Sequence, residues 1–398
     1  MPSSKLFPVL APGYVLRKLE TPFAYNISDD QLYELDDEAF EFLKKCDGKH
    51  PYSELIHDAG EGSQESIEYM IEERMIKMYK TPFPGKKEAK QSPIPSLRYL
   101  LLNITDRCNL ACKHCYLGRQ GTNDIDIGLF EKAVSQFEEM GGLKLMISGG
   151  EPLLHSKFWD IMELLQSFKL RVILLSNGTL IGKKEASKLS GYVNEVQVSI
   201  DGISGHDLLR GKGSYDKVRC GICALRHYNI PVSVATMVHR YNMHEFEKMQ
   251  ELFSRYDILS WSVDVPCVTG NLKANPDYIL EAREASKFLR YGFGAGAHES
   301  TGDYTCGSHL CSVSPDGKVS RCGFFGDEPV GDVNDLGSAW ARVCKNYLWT
   351  LDKLECHDCS HIRECRGGCR FRAKQHKGIL APDPLMCHSF GVPMTIRE

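Results

Sequence analysis

The sequence has no apolar run long enough to span a bilayer, which excludes a transmembrane helix. Its first residues, MPSSKLFPVLAPGYVL, carry one lysine and no apolar core ahead of a cleavage site, so no signal peptide is expected. Charge of one sign is not in excess either. A net charge of −4 gives no basic footprint for a nucleic-acid partner. Cysteine, by contrast, is plentiful, with sixteen in 398 residues. In an exported protein these would suggest disulfides; in a chain of this size without an export signal they suggest metal. The length suits two or three domains, each with a sizeable core.

The chain is organised around Asn103–Leu117, NITDRCNLACKHCYL, which sets Cys108, Cys112 and Cys115 in a C-x3-C-x2-C array ending on Tyr116. The apolar run Tyr99–Ile104 reads as a buried strand leading into it. The cysteines therefore sit on a loop past the C-terminal end of a strand, the face of a β/α barrel where chemistry is done. Three thiolates can hold three irons of a [4Fe–4S] cube and leave the fourth open, whereas an electron carrier would take four. A structural zinc loop would need a fourth ligand nearby, for which His114 is the nearest candidate. The array resembles the radical S-adenosylmethionine (SAM) superfamily. That resemblance implies that SAM chelates the open iron and is cleaved reductively to methionine and a 5′-deoxyadenosyl radical. It implies catalytic roles for Cys108, Cys112 and Cys115.

From residue 98 to about 300, strand and helix patterns alternate. Strands are expected at 98–104, 143–148, 171–175, 194–200, 231–237 and 258–264. Helices are expected near 128–139, 157–168, 182–190, 215–228 and 242–255. Such units give a parallel sheet with helices outside. Periodicity alone does not separate a barrel from a doubly wound sheet; the resemblance implies a partial (β/α)6 barrel. It also assigns the SAM contacts. Gly149-Gly150-Glu151-Pro152 would hold the methionine amino group, with glycines permitting close approach and Glu151 accepting from the ammonium. Ser176 and Asn177 would lie near the adenosine. Ser199 and Asp201 end the fourth strand in SIDG. Ser199 and Arg210 would bind carboxylate and ribose. Cys220 and Cys223, inside one helix, are expected to face neighbouring barrel elements, and Cys267 and Cys344 have no partner at ligand spacing.

Residues 1–84 read as two strands, Gly13–Leu19 and Phe23–Ile27, followed by three helices. Leu35, Ala39, Phe40 and Leu43 give the first helix its spacing, residues 51–59 form the second, and Ser63–Tyr79 the third. This order is winged-helix-like. Together with D-x-x-A-F-x-x-L-x-x-C-D-G it resembles the peptide-binding recognition domain of peptide-modifying operons, in which a leader peptide adds a strand to a sheet edge. The alternative is a packing domain with no ligand. Residues 85–97, polar and proline-rich, read as a linker.

Residues 301–398 hold nine of the sixteen cysteines. With Cys344 set aside, eight remain: Cys306, Cys311, Cys322, Cys356, Cys359, Cys365, Cys369 and Cys387. Zinc ribbons would not space C-x5-C-x3-C this way. The pattern resembles the SPASM extension of radical SAM maturases. Its wiring implies one auxiliary [4Fe–4S] cluster on Cys306, Cys311, Cys322 and Cys369 and another on Cys356, Cys359, Cys365 and Cys387, making three with the SAM-binding cluster. The fold expected overall is α/β: an N-terminal α+β domain, the partial barrel and a C-terminal iron–sulfur domain.

The SPASM resemblance implies modification of a ribosomally made peptide or protein, by cross-link, thioether or other C–H functionalisation. Sulfatase maturases place an Asp after the third cysteine of the first auxiliary motif; here Gly323 follows Cys322, which argues against formylglycine formation. The alternative is a small-molecule enzyme acting on tetrapyrrole side chains in alternative haem or haem d1 synthesis. Residues 1–84 discriminate, because those enzymes lack a long leader-binding segment. An electron carrier would leave GGEP and SIDG without a role. Implied partners are a precursor peptide and a flavodoxin- or ferredoxin-type electron donor, with no nucleic acid and no membrane. Oxygen-sensitive clusters imply a reducing cytoplasm, in an anaerobe or for an enzyme made when oxygen is low.

Overall fold

The structure, a computed structural model, describes residues 6–59, 64–83, 89–118, 121–294 and 302–393. The chain divides into two compact units. One comprises residues 1–98 with 135–143 and 168–171, and the other holds the rest. Residues 85–88 of the expected linker and the expected boundary at 300/301 lie outside the described residues.

In the first unit β1 (Phe7–Leu10) pairs antiparallel with β5 (Ile76–Tyr79). A four-stranded sheet contains β2 (Tyr14–Lys18), β3 (Pro22–Asn26), β4 (Gln31–Glu34) and β6 (Lys90–Gln91), in the order β4-β3-β2-β6. The expected linker is thus partly built into the sheet. Helices span Asp37–Lys45, Tyr52–Ala59 and Gln64–Glu72. The first is capped by Asp36, whose Oδ1 accepts from the Ala39 amide at 2.7 Å. The helix read through Tyr79 stops at Glu72. Arg74 adopts φ 57°, and the chain re-enters as β5. Met75 and Ile76 extend the helical stripe on paper, but in space they belong to a turn and a strand, and both bury in the core with Ile67 and Met70.

In the second unit β7 (Tyr99–Asn103), β8 (Lys144–Ser148), β9 (Arg171–Ser176), β10 (Glu195–Ser199), β11 (Val232–Met237) and β12 (Ser260–Asp264) lie side by side, all parallel, in strict sequence order. A doubly wound sheet reverses strand order at a switch point. This one does not, which settles the choice that periodicity left open in favour of a partial barrel. Helices at Ile127–Glu139, Phe158–Leu165, Lys183–Leu189, Ser214–His227 and Phe246–Arg255 connect the strands. Leu100 and Leu102 are fully buried on one face of β7, while Tyr99 packs with Met146, Ile173 and Leu310 on the other. Both faces of the strand are covered, as its unbroken apolar run requires.

The C-terminal region extends this sheet. β13 (Leu310–Val313) pairs parallel with β7, and β14 (Lys318–Ser320) and β15 (Gly331–Asp332) follow antiparallel. Cys220 and Cys223 are exposed on their helix rather than turned toward barrel elements. Among the described residues no helix is long and apolar enough to cross a membrane.

Candidate active site: the three-cysteine loop and the auxiliary thiols

The cysteine loop leaves β7 and is fastened along its length by backbone. Ile104 N donates to Ser148 O at 2.8 Å, Gly150 N to Thr105 O at 2.7 Å and Glu151 N to Arg107 O at 2.7 Å. These contacts explain the paired glycines. A Cβ on Gly149, whose φ is 149°, would stand 2.3 Å from Thr105 O. One on Gly150 would stand 2.2 Å from Arg107 O. Only glycine lets the two backbones approach this closely. Further on, Asn109 Nδ2 donates to Thr179 Oγ1 (2.8 Å) and its Oδ1 accepts from Asn177 Nδ2 (2.9 Å). From the far side, Asn271 N donates to Cys115 O at 2.9 Å and Asn271 Nδ2 to Cys112 O at 3.0 Å.

Cys108, Cys112 and Cys115 line one cavity of about 440 Å3. Tyr116, Gly149, Gly150, Ser176, Asn177, Ser199 and Arg210 line it with them. Glu151, Pro152 and Asp201 do not. Glu151 is fully buried and accepts from Ser176 Oγ (2.8 Å) and Asn177 N (2.8 Å), so its carboxylate holds the turn after β9 rather than facing the cavity. Burial pushes it up to about 7, against those hydrogen bonds. Pro152 starts a 3-10 turn at Pro152–Leu154. Asp201, also fully buried, accepts from Arg210 Nε and from Met237 N (2.7 Å). Burial raises it, but the Arg210 guanidinium prevails and holds it below the usual carboxylate range. Arg210 is thereby turned so that Nη1 stands 3.8 Å from Cys112 Sγ. His114 is pushed down to about 3, first by burial and then by Arg210, so it is a neutral ring whose Nδ1 lacks a hydrogen-bond partner. Sequence reasoning missed Asn109 and Asn271, single polar residues whose partners are distant in the chain.

The auxiliary cysteines fall into two groups. Cys356, Cys359, Cys365 and Cys387 line one cavity of about 640 Å3. Gly367 N donates to Cys365 Sγ at 3.4 Å, from a turn in which Arg366, Gly367 and Gly368 all have positive φ. The members of the other expected set come from separate parts of the chain. Cys322 feels the charge of both Cys306 and Cys369, and Cys306 that of Cys369. Cys311 is not with them. It lies in β13 next to Leu310, which belongs with the barrel-facing Tyr99 to a cluster that Cys322 packs against. Neighbouring strand residues point to opposite faces, so Cys311 points away, where Cys344 is the group acting on it. Cys267, left without a partner by its spacing, lies beside Cys369, and each thiol is the leading influence on the other. Among the described residues no three His, Cys, Asp or Glu side chains stand close enough to hold a single metal ion. A four-iron cube, with each thiolate on a different iron, needs wider spacing.

Residues 102–253 match the model of the Radical SAM superfamily. The chain is a radical SAM enzyme. The family's cofactors are a [4Fe–4S] cluster and SAM. Three thiols facing one cavity, beside a backbone cradle that a Cβ would fill, fit that pair. Among curated relatives of this radical SAM enzyme is the AdoMet-dependent heme synthase of Nitratidesulfovibrio vulgaris, 24% identical over 73% of this chain and 92% of that protein. Another is the mycofactocin maturase MftC of Mycolicibacterium smegmatis, 26% identical over 80% of this chain and 89% of that one. In fold it is similar to Streptococcus suis SuiB bound to the precursor peptide SuiA, with TM-score 0.68, 14% identity, and coverage of 94% and 98% of the two chains.

Proposed function

We propose that this enzyme is a SPASM-type maturase with three [4Fe–4S] clusters that modifies a ribosomally made peptide. The carrying observation is the first unit. Among the described residues β4 is an edge strand that pairs with β3 alone. A groove of about 440 Å3 runs beside it, lined by Tyr33, Leu35, Ala39, Ser66 and Tyr69. An extended leader would pair with β4 and drop alternate side chains into that groove. Glu34, Asp36 and Glu65 rim it, which suits a leader with basic residues. A haem precursor needs neither edge nor groove. The bound cluster and SAM supply reductive cleavage and hydrogen-atom abstraction. This chain's own residues shape the cavity: Glu151 fixes the Ser176–Asn177 turn, Asp201 orients Arg210, and Asn271 closes the loop from outside. A flavodoxin- or ferredoxin-type donor in a reducing cytoplasm completes the reading.

Deleting residues 1–84 is not a clean test. Leu143 packs with Val15, Leu19 and Tyr25, and Arg17 donates to Gly142 O (3.3 Å) and Lys169 O (3.1 Å), so deletion would also strip barrel segments of their cover. Filling the groove with Ala39→Arg and Ser66→Arg leaves that cover in place. Product from a full precursor peptide is expected to disappear while 5′-deoxyadenosine formation without peptide persists. Unchanged peptide product, or turnover of a porphyrin by both forms, would transfer the assignment to the small-molecule reaction.

A further inference from the structure

We infer that Cys267 is the fourth cysteine of the near auxiliary site, completing Cys306, Cys322 and Cys369, and that Cys311 is a core thiol outside it. This rests on the reading that the site holds an iron–sulfur cluster.

Cys267 lies three residues past the end of β12 and is 4% exposed. Its thiol meets Cys369, and both segments are tied by one guanidinium. Arg372 Nη1 bonds Asp264 Oδ1, the last residue of β12, at 2.7 Å, and its Nε bonds Asp383 Oδ2 at 3.1 Å. Asp383 Oδ2 in turn accepts from the Cys369 backbone amide at 2.8 Å. The strand end that delivers Cys267 and the helix start that delivers Cys369 are thus held in register by a buried ion network. Cations surround the group. Arg321 and Arg370 act on Cys306, and each keeps a buried nitrogen (Nη1 and Nε respectively) without a hydrogen-bond partner. Guanidinium groups left short of acceptors beside thiols suit an anionic thiolate cluster. Cys311 has none of this. It is fully buried, pairs in register with Leu100, and has no cation acting on it. A thiolate there would be an uncompensated buried charge.

The test uses the reconstituted full chain and measures iron per protein with EPR of each reduced cluster. Wild type should hold about twelve irons. Cys306→Ala and Cys267→Ala should each fall to about eight, the value for two cubes. Cys311→Ala should match wild type. Cys267→Ser should keep iron but shift the signal of one cluster, which a mere packing role would not do. The signals of the other two clusters report that each variant is folded. Wild-type iron and spectra in both Cys267 variants would overturn the inference. So would loss of a cluster in Cys311→Ala, or a Cys267 effect confined to the SAM-binding cluster. If Cys306→Ala also matches wild type, the auxiliary-cluster reading itself falls.

Discussion

The two groups of auxiliary thiols are built in opposite ways. Cys356, Cys359, Cys365 and Cys387 come from one stretch of turns and short helices, and they line a single cavity. Cys306, Cys322 and Cys369 come from three separate places, and Cys267 reaches them from the end of a barrel strand. The first group is a local object whose spacing survives in the sequence. The second is a tertiary object whose membership is decided by which face of β13 and which end of β12 point inward. A spacing rule can therefore reach the first group by itself, whereas the second also depends on which way β13 and the end of β12 turn their residues.

The same contrast separates the SAM-binding loop from both auxiliary groups and gives the largest expected effect. Replacing Cys108, Cys112 and Cys115 together with Ala should abolish 5′-deoxyadenosine formation while leaving about eight irons, those of two cubes. Residual SAM cleavage above background would mean that an auxiliary group does the work assigned to this loop. Next in size is Gly150→Ala. The added Cβ would meet Arg107 O at 2.2 Å, a backbone atom that moves only if the whole loop moves. Displacement of a reacting centre by about 1 Å can cost on the order of 10²-fold in rate. The loss should appear in SAM cleavage, with the distal cluster's EPR signal unchanged. A signal change there would show that the sites are mechanically coupled and the comparison too sharp.

Arg372→Met tests the near group against the distal one. Asp383 is fully buried on its carboxylate side chain and would lose its charge partner. Leaving a buried carboxylate unpaired costs about 3 kcal/mol. Thermal unfolding should shift down by several degrees, and the near cluster should be the first to lose iron on chelator titration. If the distal cluster goes first, the ion network belongs to the wrong group.

Much of this was legible beforehand, for identifiable reasons. β7, β8 and β9 are largely apolar runs and β10, β11 and β12 carry β-branched residues among polar ones, which interrupts helical periodicity, and the expected and observed boundaries differ by at most two residues. The cysteine loop, GGEP and SIDG are contiguous signals. What was not legible depends on direction or on distance. β4 and β5 are short strands lying at the edges of helix-like stripes, so a 3.6 period absorbs them. The type of Glu151 marks it as an acceptor; that its carboxylate accepts from the turn after β9 is a fact about packing. Cys311 differs from Leu310 by one residue, and in a strand one residue is the difference between two faces.

The smallest effect expected is also the one that asks whether the comparison between sites is complete. The segment after β12 carries Cys267 toward the near auxiliary group, and four residues on it carries Asn271 to the SAM-binding loop. There Asn271 Nδ2 donates to Cys112 O at 3.0 Å. Gly270 precedes it with φ 51°, and a Cβ at that position would lie 2.2 Å from Cys115 O, so the segment is pressed against the loop. One short segment thus touches both sites through different residues. Asn271→Ala removes the side-chain bond and keeps the backbone bond from Asn271 N to Cys115 O at 2.9 Å. A single such hydrogen bond contributes about 1 kcal/mol, or roughly a fivefold change. SAM affinity, measured by equilibrium binding to the reconstituted enzyme, should weaken by about that factor, with full iron content. If the variant also alters the near cluster's EPR signal, the segment transmits between the two sites as a unit, and the sites are not independent.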